Sequence, residues 1–250
     1  MAQISGQTDN HDGTIGTIPQ ACWGTDIKFD ADNIRESIIE IEKEIAPCKP
    51  RIIGVTKYYG LDSIIKGYQA GLRDFGESRA IEAISKIESM PKDIRQNSKF
   101  HFIGHLQTNK AEKVVKYFDY IHSVDSLKLA ETISNAVTKT GKNVKILLQV
   151  NNANEEQKSG YSKKNLRIDL PKLLAITNLD IVGLMNMAPF GADESTLREL
   201  FSDVRSFRDE LERDFNIRLS EISMGMSDDY KIAVEEGATM IRIGRKLYSN

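Results

Sequence analysis

Ile52-Ile53-Gly54-Val55-Thr56-Lys57 is an apolar, β-branched run that closes on a lysine. Read as a buried strand, its period of two sets Ile53, Val55 and Lys57 on one face. If that face is a packed interior, desolvation disfavours the ammonium and lowers its pKa. A lysine left neutral in this way condenses with an aldehyde to a Schiff base. The same run also reads as a strand whose terminal lysine leaves for solvent, so the surroundings must decide.

Those surroundings alternate. Upstream, a helix from Phe29, capped by Asp30 or Asp32, repeats Ile34, Ile38, Ile41 and Ile45 at helical spacing and stops at Pro47 and Pro50. Strands are expected at 52–57, 74–77, 100–105, 120–124, 145–151, 181–187, 219–224 and 240–244. Between them fall helices at 63–70, 80–89, 109–117, from Asp125 or Ser126 to Lys139, near 170–177, at 195–215 and at 228–236, with a polar loop at 152–165. Alternating β and α units imply a parallel sheet with right-handed crossovers, and eight of them close into a barrel. The expected fold is therefore α/β: a single (β/α)8 TIM barrel over 29–250 with one extra N-terminal helix. An open doubly wound sheet usually carries a Gly-rich phosphate loop after its first strand, where this chain has Lys57-Tyr58-Tyr59-Gly60. Residues 1–28, rich in Gly, Thr, Gln, Asp and Asn without an apolar period, are expected to form a disordered extension.

Composition narrows the function classes. The 250 residues suit one α/β barrel, and 34 Lys+Arg against 36 Asp+Glu leave no basic block for nucleic acid. Cys22 and Cys48 form no CxxC pattern and read as reduced thiols of a cytoplasmic protein. No run approaches the roughly 18 apolar residues of a membrane span, and the N-terminus lacks the order of a signal peptide. His101 and His105 on one strand stand about 13 Å apart, and no histidine shows ligand spacing with a cysteine, so no metal is expected.

Working residues of a barrel gather at the C-terminal ends of strands, with phosphate often beside the loops after strands seven and eight. Ser223-Met224-Gly225-Met226-Ser227-Asp228-Asp229 falls there and runs into a helix. Gly225 permits close backbone approach, and serine hydroxyls with the free N–H groups of a helix start form an anion cradle. Capping explains one such residue, but not the Ser-x-Gly-x-Ser cluster. In Met240-Ile241-Arg242-Ile243-Gly244-Arg245, alternation turns Ile241 and Ile243 toward the helices and Arg242 into the barrel. A buried guanidinium needs either an acid such as Glu77 or a ligand acceptor. Gly244 and the N–H of Arg245 would complete the cradle. Met185, Met187, Met224 and Met226 read as packing.

With these residues in place the chain resembles the pyridoxal phosphate homeostasis proteins. The similarity runs from about Arg51 to Tyr248 through GVTK at 54–57, DFGES at 74–78, FHFIGHLQTNK at 100–110, IHSVDSLKLA at 121–130, LQVN at 148–151, GLMNMAP at 183–189, SMGMSDD at 223–229 and GATMIRIG at 237–244. The resemblance implies a fold-type III barrel similar to the N-terminal domain of alanine racemase, with pyridoxal 5′-phosphate (PLP) as cofactor. It puts the cofactor-bearing lysine on Lys57, the pyridine-nitrogen arginine on Arg242, and the phosphate loops on Ser223, Gly225, Met226 and Ser227 and on Gly244 and Arg245. Two departures stand out: Ser78 replaces an asparagine usual near the cofactor, and Tyr58-Tyr59-Gly60 replaces a proline-containing segment.

An arginine is a permanent donor and keeps the ring nitrogen unprotonated, which makes the ring a poor electron sink. The resemblance thus implies a monomeric carrier or buffer of PLP, without turnover, that serves vitamin B6 and amino-acid pools and hands cofactor to apo PLP-dependent enzymes. A single-domain racemase-like enzyme is the alternative, with Tyr58 or Tyr161 as its second base. An aldolase whose Lys57 attacks a sugar phosphate is a third reading.

Overall fold

The computed structural model of the protein describes residues 29–152 and 159–249. The extension expected at 1–28 lies outside the described residues, as does 153–158 within the expected polar loop. Helix α1 (Ala31–Glu44) starts where the Asp30 carboxylate accepts the Asp32 N–H, and it buries Ile34 and Ile41. The strands β1 (Arg51–Val55), β2 (Asp74–Glu77), β3 (Lys99–Phe102), β4 (Tyr120–Val124), β5 (Lys145–Val150), β6 (Asp180–Asn186), β7 (Glu221–Ser223) and β8 (Met240–Ile243) pair in sequence order and close into a barrel. All pairings are parallel, and β1 joins both β2 and β8. The helices α2 (Leu61–Ala70), α3 (Ala80–Glu88), α4 (Lys92–Gln96), α5 (Ala111–Tyr117), α6 (Leu127–Thr140), α7 (Lys163–Leu174), α8 (Glu194–Phe215), α9 (Tyr230–Glu235) and α10 (Arg245–Tyr248) complete the element order.

Strand alternation divides the core in two. Ile53, Tyr120, Leu147, Met185 and Met240 fill the barrel interior, with Val182 and Met187 against them. Phe75, Phe102, Ile121, Ile146, Leu148, Ile222, Ile241 and Ile243 face outward and pack under the helices. Leu129, Ile133 and Val137 of α6 and Leu197, Phe201, Val204 and Leu211 of α8 bury the inner stripes of those helices.

Several boundaries differ from expectation. Strand β1 ends at Val55: Thr56 N–H still donates to Gly76 O at 3.0 Å, and Tyr59 N–H to Thr56 O at 3.0 Å then turns the chain. Lys57 therefore sits at the rim of the barrel, half-buried, rather than inside a packed interior. Strand β3 stops at Phe102, because the chain next passes over the β2 loop. A Cβ at Gly104 would lie 2.3 Å from the Ser78 carbonyl oxygen, so only glycine fits. Helix α7 begins at Lys163, well before the expected 170, and runs through Pro171. Helices α4 and α10 are additional short turns.

Candidate functional site

Lys57, Met226, Ser227, Arg242, Gly244 and Arg245 line one cavity of about 520 Å³, walled by Val55, Ile103, Met187 and Phe190. Its position beyond the C-terminal ends of β1 and β8 follows from the register, which sets Ile53 beside Arg242 and Gly54 beside Ile243. The volume and mostly apolar lining, with a few polar groups, are those of a small-molecule site.

Arg242 forms the floor. Only 4 % of it is exposed. Its NH1 donates to Ser223 Oγ at 2.7 Å and its NH2 to the Asn186 carbonyl at 2.8 Å. Among the described residues no carboxylate forms a salt bridge with it; the acid considered for that role, Glu77, faces outward and pairs with Lys86. Burial pushes Arg242 down to about 10, opposed by the charge of Asp229, so it remains a cation at neutral pH. A guanidinium has five N–H donors and two of these are used.

The loop after β7 supplies the rim. Gly225 has φ +89°, and a Cβ there would meet the Ala233 Cβ at 2.6 Å; its carbonyl accepts the Arg242 N–H at 3.0 Å. Ser227 Oγ accepts the Gly244 N–H at 3.3 Å. This leaves its own hydroxyl hydrogen for an acceptor. Packing does not demand glycine at 244, where a Cβ would touch Val55 at an ordinary 3.6 Å; a side chain there would occupy cavity space instead. Arg245 is exposed and paired with Asp228.

Below the rim, the turn carrying Lys57 is tied down from behind. The Lys86 ammonium, buried, donates to the carbonyls of Thr56 at 2.9 Å and Tyr59 at 3.0 Å and pairs with the buried Glu77 carboxylate. Glu77 also accepts the Thr56 hydroxyl at 2.7 Å. Burial raises the Glu77 pKa, against the pull of Lys86 and Thr56. Lys57 Nζ itself stands 4.9 Å from the centroid of the Tyr58 ring.

Not every expected residue joins this cavity. Ser223 is buried beneath it, as Arg242's partner. Ser78 lines a separate polar cavity of about 270 Å³ with Arg79, His105 and Lys110. Tyr161 is not among the residues around Lys57; it lines a third cavity, beside Asp125 and Asp169. His101 and His105 do not share a strand: His101 is buried in the barrel, whereas His105 lies beyond β3 near Asp125. Sequence reasoning missed His122 and Asn186. The inward parity of His122 with Tyr120 on β4 was the available signal; Asn186, next to the inward Met185, turns its side chain away to Asn152 and meets Arg242 only through its backbone carbonyl, which no side-chain pattern announces.

A single eight-stranded barrel with a lysine at the rim of β1, an arginine on the floor from β8 and a Ser–Gly seat between them defines a fold-type III, alanine racemase-like barrel. Residues 29–250 match the family model described as alanine racemase, N-terminal domain. The chain is 40% identical to the pyridoxal phosphate homeostasis protein of a Synechocystis species, over 82% of this chain and 93% of that protein. With the human protein of the same name it shares 33% identity over 87% of this chain and 82% of the other. The chain belongs to the alanine racemase N-terminal domain family, among its pyridoxal phosphate homeostasis proteins. The structure of PipY from Synechococcus elongatus with PLP bound superposes with a TM-score of 0.78 at 37% identity, covering 86% of this chain and all of that one. An alanine racemase from Clostridium difficile shares the fold, with a TM-score of 0.71 at 14% identity, over 88% of this chain and 57% of the enzyme.

The residues present fit PLP. A buried guanidinium without a carboxylate in contact suits a neutral ring nitrogen. Apolar walls suit a flat ring, and the Ser227 hydroxyl beside a glycine that packing does not require suits a phosphate.

Proposed function

We propose that the protein binds PLP in the cavity between Lys57 and Arg242 and carries or buffers it for the cell's vitamin B6 and amino-acid pools, without turnover of its own. One observation carries this reading: Lys57, Arg242, Ser227 and Gly244 line the same cavity. The cofactor's aldehyde supplies the chemistry, since it condenses with a primary amine and releases water. Lys57 Nζ is the amine, giving a Schiff base. Arg242 donates to the ring nitrogen. Gly225, Met226 and Ser227 with Gly244 and Arg245 hold the phosphate, and Ser223 acts from below through Arg242. Ser78, which lines the other cavity, is given no contact with the cofactor in this reading.

The absence of turnover is supported by Arg242, which withholds a proton from the ring nitrogen, and by the naming of the relatives as homeostasis proteins rather than enzymes. Apo PLP-dependent enzymes are the recipients in this reading, and the protein acts as a cytoplasmic monomer. Among the described residues no helix is long and apolar enough to cross a membrane.

The test is direct. Protein saturated with PLP shows a visible band that borohydride bleaches, and peptide mass spectrometry finds the reduced adduct on Lys57. The Lys57→Ala variant lacks both band and adduct while still retaining cofactor weakly. An adduct on another lysine, or a colourless wild-type protein, overturns the reading. Interconversion of amino-acid enantiomers at about 1–10³ s⁻¹ would instead make the protein a racemase.

A further inference from the structure

Five polar side chains cross the barrel interior in a continuous line. Asp74 Oδ1 lies 2.9 Å from His101 Nε2, and His101 Nδ1 lies 2.9 Å from His122 Nε2. His122 Nδ1 lies 2.9 Å from Ser223 Oγ, which receives Arg242 NH1 at 2.7 Å. His101, His122 and Ser223 are fully buried, and they come from β3, β4 and β7. Asp74 opens β2 at the N-terminal rim, opposite the cavity, where Arg51 Nε stands 3.7 Å from its carboxylate. His101 stacks on Tyr120 with centroids 4.4 Å apart, and the Tyr120 hydroxyl accepts from Arg51 at 3.0 Å.

The ends of this line dictate its direction. An arginine only donates and a carboxylate only accepts. Ser223 Oγ therefore accepts from Arg242 and donates to His122 Nδ1. His122 must donate from Nε2 to His101 Nδ1, and His101 from Nε2 to Asp74. Four donors meet four acceptors with none left over. Any other arrangement breaks the count. With both imidazoles in the reverse tautomer, a bare His101 Nε2 faces the Asp74 carboxylate. A protonated His122 would aim a second donor at Ser223 Oγ and leave the serine hydrogen without its acceptor. Burial first, then the charges of His101, Arg242 and Arg51, hold His122 well below the ordinary histidine range, in keeping with the neutral form.

We infer that Asp74, His101, His122 and Ser223 are positioning residues for the cofactor: a one-way chain of hydrogen bonds that fixes the Arg242 guanidinium beneath the ring nitrogen and ties its placement to a carboxylate on the far rim. The inference rests on the reading of the cavity as a PLP site. Hydrogen bonds in a buried series polarise one another, so loss of the acceptor at one end weakens the hold at the other. The two histidines thus do more than fill the interior beside Leu147 and Met185.

The experiment has two arms. Nitrogen-15 NMR of the cofactor-free protein should find both buried imidazoles neutral and protonated on Nε2 at neutral pH; a charged ring or an Nδ1–H tautomer at either position overturns the inference. In the second arm, Asp74→Ala should weaken PLP binding about tenfold, the size of one lost charge-assisted hydrogen bond, and shift the visible band of the bound cofactor. Asp74→Asn should restore both, because its amide oxygen still accepts from His101. A role confined to packing predicts a lower melting temperature with unchanged affinity and band, and that result overturns the inference. If Asp74→Ala does not fold, the NMR arm decides alone. A wild-type protein that never binds PLP sinks the reading of the cavity, while the tautomers still report on the chain.

Discussion

Glycine is required at position 225 for reasons that do not hold at 244. Gly225 combines φ +89° with a neighbour 2.6 Å from any Cβ. Gly225→Ala should therefore cost about 2 kcal/mol or more, read as a lower urea midpoint. Gly244→Ala meets Val55 only at 3.6 Å, so its midpoint should stay within about 0.5 kcal/mol of wild type while PLP affinity falls about tenfold. Stable binding by an unstable Gly244→Ala protein would refute the assigned division of labour. The inward turn of Arg242 was legible, because alternation with Ile241 and Ile243 needs no tertiary information. The different stations of Ser223 and Ser227 were not. A Ser-x-Gly-x-Ser cluster makes the two serines look alike, and only the end of β7 at Ser223 separates an interior hydroxyl from a rim one.

Between elements, the most consequential contact is the buried ion pair of α3 with β2. Lys86 satisfies Glu77 and the carbonyls of Thr56 and Tyr59 together, so it fixes the turn that presents Lys57. Lys86→Met would leave a buried carboxylate uncompensated, at a cost of about 3 kcal/mol or more. Urea unfolding should show that loss, and Lys86→Met combined with Glu77→Leu should recover most of it. A single variant as stable as wild type would mean that Glu77 is protonated and the pair unimportant. Sequence reading failed to see this pair, because Lys86 looks like a solvated helix residue until β2 is placed beneath it. Helix α7 shows the related difficulty with boundaries. Leu166, Leu170 and Leu173 are buried at helical spacing, and Ser162 Oγ caps the start by accepting the Asn165 N–H at 3.2 Å. Pro171 lies inside the helix, and the polar residues 163–165 that open it fell in the expected loop.

At the scale of the whole molecule, closure of the barrel was legible from the count of alternating units, but the polar line through its interior was not. His122 and Ser223 are 101 residues apart in sequence, and only closure brings them within 2.9 Å. That line carries a consequence for the entire fold. Burial, first among the causes, lowers both His101 and His122 from the ordinary histidine value of 6.5; Asp74 partly offsets the effect at His101, whereas the neighbouring cations reinforce it at His122. The unfolded chain therefore takes up protons below 6.5 that the folded barrel refuses. Stability from these two groups is fully present above that value and is lost as pH falls through the window beneath it. Each refused proton contributes a slope of at most about 1.4 kcal/mol per pH unit. Urea midpoints should accordingly fall steeply between about pH 6.5 and pH 5, and the two imidazole NMR signals should keep their neutral shifts until the protein unfolds. Carboxylates lose stability lower in the pH range, so a substitution at His122 that preserves the fold should flatten the upper part of the curve. Imidazole signals that titrate near 6.5 in the folded protein would show that the barrel interior admits the proton after all, at the cost of the hydrogen bond that Ser223 donates to His122.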